Sequence, residues 1–218
     1  MIAKDVRSMY FAKPEDHFRI YGSEFVRDLR CAENSDAYPT VKRPADYSGQ
    51  PVIRFAPSQL SGMSPHAQKK LTDEWAAFLT ENKLPLTEVQ VVTSLVQRVF
   101  DGLCMQDSIE SLRIKWINCS DISRIRGLTG LKKLFIENGS RLTDISPIAD
   151  LRYLDTLILG ETVKVTDYSC LSALKRLKVF SVCSYQTFIH SRLTMNSAEF
   201  LRYMDQLEYV DILDVKQA

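Results

Sequence analysis

Three histidines and five cysteines are the side chains of this chain that could ligate a metal or attack an electrophile. His17, His66 and His190 stand far apart, and none has another His, Cys or acid at a metal-ligand spacing. Cys31, Cys104, Cys119, Cys170 and Cys183 are odd in number and scattered, which suits neither a disulfide framework nor a CxxC knuckle. Cys31 and His17 lie nearest in sequence, but no orienting group or oxyanion donor accompanies them, and an activated nucleophile needs such partners. There is no GxGxxG and no phosphate-binding P-loop. These absences predict no catalytic residues, no metal and no cofactor, hence a chain that is not an enzyme. The alternative reading is an enzyme whose site lies in the N-terminal region, with the rest as a recognition platform.

A second set of polar residues recurs in phase. Ser120-Asp121-Ile122-Ser123-Arg124-Ile125 returns as Thr143-Asp144-Ile145-Ser146-Pro147-Ile148 and again as Thr166-Asp167-Tyr168-Ser169-Cys170-Leu171. An aspartate two residues before a serine can accept local backbone N–H groups in an Asx turn, so these residues are expected to cap turns rather than to catalyse.

Between the turn motifs runs an apolar pattern, LxxLxxLxI. Its copies are Leu128-Leu131-Leu134-Ile136, Leu151-Leu154-Leu157-Leu159 and Leu174-Leu177-Phe180-Val182. Ile109-Leu112-Ile114 and Leu86-Val89-Val91 fill the last three slots earlier in the chain. The third slots, at residues 89, 112, 134, 157 and 180, are spaced by 23, 22, 23 and 23, and a degenerate copy ending in Val210 and Ile212 follows. A period of about 20–29 residues is that of leucine-rich repeats, in which one copy cannot bury its apolar face alone and stacked copies can.

The segment Leu142-Thr143-Asp144-Ile145-Ser146-Pro147-Ile148-Ala149-Asp150-Leu151 resembles the signature of internalin-type bacterial leucine-rich repeats. The resemblance covers roughly residues 86–213. It implies a right-handed solenoid with short parallel strands on its concave face, turns or short helices on its convex face, and protein recognition on the concave side. The usual asparagine, four residues after the third slot, is present only as Asn138, with Trp116, Glu161 and Ser184 in the other copies. That departure predicts irregular strand exits. Internalins are exported and this chain shows no export signal, so adhesion to host cells does not carry over.

Side chains alternate along a strand, so the residues between the buried slots must face outward. The slot after the third leucine reads Gln90, Arg113, Phe135, Ile158, Ser181 and Asp211. Phe135 and Ile158 are expected as adjacent, exposed apolar residues flanked by Arg113, Lys115, Lys133 and Glu137. An aromatic anchor among charged neighbours is the composition of a protein-binding hot spot. An N-terminal segment folded over these residues is the other reading of the same pattern. Trp116 either edges this face or packs beneath the convex turn.

The elements that must hold these rows follow from the rest of the chain. Six of eight prolines precede residue 66, so residues 1–62 read as an irregular arm, with Val52-Ile53-Arg54-Phe55 as one short strand. Within residues 63–85 a capping helix starts at Ser64 as N-cap and Pro65 as first helical residue, and Leu71, Trp75, Phe78 and Leu79 form its apolar stripe. Residues 86–218 are the repeats. The expected fold class is thus α/β: a leucine-rich repeat solenoid with a short parallel sheet on its concave face, an irregular N-terminal arm and a capping helix.

Composition agrees with a binding module. The formal charge is +1, against the basic excess that phosphate backbones demand, so nucleic acid is not expected as a partner. The opening Met1-Ile2-Ala3-Lys4-Asp5-Val6-Arg7 has no apolar run behind its charges, and no stretch approaches the ~20 apolar residues that cross a membrane. With scattered cysteines, this points to the cytoplasm and to a protein partner on the concave face, an inhibitor or immunity-type interaction being one form of it.

Overall fold

The structure is a computed structural model that describes residues 40–58, 61–183, 193–212 and 215–217. Among these residues the strands β1 (Thr40–Val41), β2 (Val52–Phe55), β3 (Glu88–Val96), β4 (Ser111–Asn118), β5 (Lys133–Ile136), β6 (Thr156–Gly160) and β7 (Val179–Cys183) lie side by side. After β8 (Leu193–Met195), β9 (Tyr209–Ile212) completes that eight-stranded sheet, and β10 (Val215–Gln217) pairs with β8 in a separate two-stranded sheet. Every pairing is parallel and follows chain order apart from the excursion through β8. This is the connectivity of a leucine-rich repeat solenoid, each copy adding one strand beside the last.

The register places the repeat slots in rows. Ile53, Val89, Leu112, Leu134, Leu157, Phe180 and Val210 pair in succession across the sheet. Phe55, Val91, Ile114, Ile136, Leu159, Val182 and Ile212 form the next inward row. Leu112, Leu134 and Leu157 have no solvent exposure, because each is packed by the same slot of the copy before and after. The sheet begins two strands before the recognisable repeats. Val52–Phe55 forms as expected, and it uses the same inward alternation, with Ile53 and Phe55 buried.

Opposite the strands stand 3-10 turns at Ser123–Gly127, Ser146–Asp150, Ser169–Ala173 and Glu199–Tyr203. Each is started by the expected Asx chemistry: Ser123 N donates to Asp121 Oδ1 at 2.7 Å, Ser146 N to Asp144 Oδ1 at 2.7 Å, and Ser169 N to Asp167 Oδ1 at 2.8 Å. In the degenerate copy Ser197 Oγ does the same for Glu199 N at 3.0 Å.

The backbone N–H of Ser123 holds the Asp121 carboxyl below the ordinary carboxylate range, and the Ser169 hydroxyl does so for Asp167. A depressed folded-state pKa means that the unfolded chain binds the proton first. The stability from these caps is therefore fully present above the unfolded value of about 3.9 and is lost as pH falls through the folded values. Thermal melts from neutral to acid pH should show that the double substitution Asp121→Asn and Asp167→Asn flattens the acid limb.

The strand ends are held copy to copy. The Glu110 carbonyl accepts from Lys132 N (2.8 Å) and Lys133 N (3.0 Å), and those of Lys132, Asp155 and Lys178 accept from the next copy in the same way. Side chains reinforce the step: Lys132 Nζ is 2.8 Å from Glu110 Oε1 and Lys178 Nζ 2.8 Å from Glu208 Oε1. Both pairs are exposed, and such pairs contribute at most ~1 kcal/mol each.

The helix α1 (Pro65–Glu81) packs against α2 (Gln97–Leu103), which stands in place of a 3-10 turn. Ser64 Oγ accepts from Ala67 N, and Leu71, Trp75 and Leu79 are buried, while Phe78 is half-buried. Trp75 meets Phe55 edge-on at 4.4 Å between centroids and donates its indole N–H to the Lys42 carbonyl at 3.0 Å. Gly102 lets the two helices approach, since a Cβ there would lie 3.0 Å from Leu79 Cβ.

Candidate protein-binding face

The sheet face away from the core carries the outward slots. Its central row, in register, is Arg54, Gln90, Arg113, Phe135, Ile158 and Ser181. The row before it is Val52, Glu88, Ser111, Lys133, Thr156, Val179 and Tyr209. Phe135 and Ile158 are adjacent strand partners, and Arg113 pairs with Phe135 on its other side. Lys133 is exposed and Phe135 half-buried.

Ile158 departs from expectation. It is only 4% exposed, and so are Gln90 and Ser181 in the same row. Ile158 lies outside the contiguous inner core, so its shielding is not the packing that buries Leu157 and Leu159. Alternation fixes the face a residue points to but not its exposure. The exposed part of the face is therefore displaced from Ile158 toward β4 and β5.

There the charges are organised. Arg113 Nε and Glu137 Oε1 form an ion pair across β4 and the end of β5, with side-chain exposures of 14% and 24%. Lys115 places its Nζ 5.2 Å from the centre of the Trp116 ring. Trp116 itself is 42% exposed, so it is not packed into the core. A register shift between Val91 and Ser94 accompanies it, so Ser94 rather than the next residue in step pairs with Trp116. Bulges of this kind re-aim side chains at sheet margins.

Arg54 and Trp116 were not among the expected binding residues. Arg54 enters with β2, which lies before the recognisable repeats. The Arg113–Glu137 pairing could have been read from the register, because opposite charges fall two positions apart along adjacent strands.

The copy that keeps its asparagine and the copy after it leave their strands differently. Asn138 Oδ1 accepts from Ser140 N at 3.2 Å and Ser140 Oγ at 2.8 Å, making its own turn. Glu161, in the equivalent slot of the next copy, takes a left-handed backbone with φ 52° and is buried. Gly139 beside it has no room for a side chain, because a Cβ would come 2.7 Å from Thr162 Cγ2.

Among the described residues, the free cysteines Cys104, Cys119 and Cys170 are poorly suited to covalent chemistry. Burial pushes the Cys104 thiol up strongly, Cys119 to about 12 and Cys170 to about 11. A nucleophilic cysteine needs the opposite shift. Cys104 and Cys119 should resist iodoacetamide in the native protein and label only on unfolding, as peptide mass spectrometry can follow. His17, His190 and Cys31 lie outside the described residues. Among the described residues no three His, Cys, Asp or Glu groups are gathered to hold a metal, and no helix is long and apolar enough to cross a membrane.

No family model matches the chain, and no curated protein matches it. Among solved structures it is similar to an internalin of Listeria monocytogenes, with 15% identity and a TM-score of 0.49 over 89% of this chain. This chain spans 56% of that one. It is also similar to internalin C2 of the same organism, with 14% identity and a TM-score of 0.24 over 63% of this chain and 83% of that chain. The repeat architecture stands on this chain's own strand register, and by that register it is a leucine-rich repeat solenoid.

Proposed function

We propose that this protein is a non-catalytic interaction module that binds another protein on the outer, concave face of its sheet. The observation that carries the reading is the half-buried Phe135 beside the Arg113–Glu137 pair, with Lys133 and the exposed Trp116 at the margins of the same strands. Aromatic and arginine side chains on a rigid sheet lose little freedom on docking, which is why such residues dominate interface energetics. Lys115 extends the contact along β4, while the buried Ile158 backs Phe135 from the next strand. Residues 86–218 supply the platform, and the strands Thr40–Val41 and Val52–Phe55 extend its sheet by two strands ahead of them. Masking of another protein, as an inhibitor or immunity-type partner does, suits a small rigid scaffold, and the scattered thiols suit the reducing cytoplasm.

The experiment is capture by the immobilised full chain from the cells it comes from, run beside two variants. A partner retained by Lys69→Ala on α1 but lost by Phe135→Ala supports the reading. A partner equally retained by both does not dock on this face.

Fluorescence gives a second readout. The chain has two tryptophans, Trp75 without exposure and Trp116 at 42%. Acrylamide should quench one emitting class strongly and the other weakly, and the bound partner should protect the quenchable class. Unchanged quenching in the complex would remove Trp116 from the interface.

A further inference from the structure

A different surface gathers cations of adjacent copies beside an exposed aromatic ring. In each LxxL step the two residues between the leucines lie on the flank where the 3-10 turn leads back to the strand, the first of them exposed in every copy. In successive copies they are Thr129-Gly130, Arg152-Tyr153, Lys175-Arg176 and Asp205-Gln206. Arg176 Cζ lies 5.4 Å from the centre of the Tyr153 ring, so equivalent slots of consecutive copies are neighbours in space. Arg152 and Lys175 then share a slot as like charges, an arrangement that costs stability when unrelieved.

Several other cations are paired with a carboxylate of an adjacent copy: Lys132 with Glu110, Lys178 with Glu208, Arg126 with Asp150, Arg113 with Glu137. Among the described residues Arg152, Lys175 and Arg176 have no such carboxylate. Lys175 Nζ donates instead to the Ser172 carbonyl at 2.8 Å. Tyr153 on this flank is 53% exposed, and Tyr203, at the end of the last 3-10 turn, is 66% exposed.

We propose that this flank is a second interaction surface, separate from the concave row, which takes an acidic segment of a protein partner over Tyr153 and Arg176. The unmatched cations of two adjacent copies supply the charge, and the Tyr153 ring supplies rigid contact area. Two copies span only ~10 Å at the strand spacing, enough for a few carboxylates but short for a phosphate backbone. One face of the Tyr153 ring is already covered by Arg176, which leaves only the other for stacking. A protein segment is therefore favoured over a nucleic acid.

The probe is a fluorescein-labelled oligo-glutamate peptide, titrated at low salt into the full chain and read by anisotropy. Arg152→Glu with Arg176→Glu should weaken binding at least about tenfold, while Lys69→Glu with Lys70→Glu, the same change in net charge on α1, should cost roughly twofold or less. Tyr153→Ala should also weaken it, and Phe135→Ala should not, which separates this surface from the concave face. The proposal is overturned if both charge-reversed doubles lose binding equally, if a single-stranded oligonucleotide competes as well as the peptide does, or if the unaltered protein does not bind the peptide. All these positions are exposed, and a circular dichroism melt of each variant confirms that the fold is kept.

Discussion

Replacing Leu157 with alanine should lower the stability of the chain by about 2–5 kcal/mol, among the largest losses available to one substitution. Leu157 is fully buried, and it pairs with Leu134 on one side and Phe180 on the other. In a stacked array each copy is stabilised by its neighbours, so a cavity in the middle copy weakens two interfaces at once. The side chains that would have to fill it, Leu134 and Phe180, are anchored by parallel backbone pairing and cannot move in freely. Urea unfolding should show a lower midpoint with an unchanged slope. A loss below about 1 kcal/mol would mean that Leu157 is not a core slot, and the register would have to be redrawn.

Phe135→Ala should weaken the complex with the captured partner by about 2 kcal/mol or more, a roughly thirtyfold rise in Kd. Phe135 lies on the sheet face away from the core and only half-buried, so its removal leaves the inner rows packed. The loss should therefore fall on binding, with a much smaller effect on the urea midpoint. Ile158→Asp is a less clean probe. At 4% exposure the new carboxylate would be buried beside Phe135, so stability and affinity should fall together. Arg113→Glu would face Glu137, adding like-charge repulsion to the lost attraction. It should slow association and alter its salt dependence, as altered steering charges do.

The leucine rows were legible because one side-chain type recurs at one spacing and each copy makes the same inward demand. The Asx turns were legible for the same reason, with Asp and Ser in fixed offsets, and Ser197 shows the chemistry kept when the aspartate is not. The strands at Thr40–Val41 and Val52–Phe55 were harder. They pair like repeats but lack the leucines, and Pro44, Pro51 and Pro57 interrupt the pattern around them. Which side Phe135 and Ile158 occupy follows from alternation. How much water each meets does not, because that depends on the neighbouring strands' side chains. Trp116 was undecidable for a related reason: the register shift near Val91 and Ser94 ends the strict alternation on which its direction would have been judged.

The most direct measurement is hydroxyl-radical footprinting of the full chain with and without the captured partner, read residue by residue by mass spectrometry. Docking on the concave face predicts lowered oxidation of Phe135 and Trp116, with Met105 on the far side of the first copies unchanged. Protection confined to the 3-10 turns or to Tyr153 and Tyr203, with Phe135 and Trp116 oxidised as in the free protein, would contradict the assignment of that face.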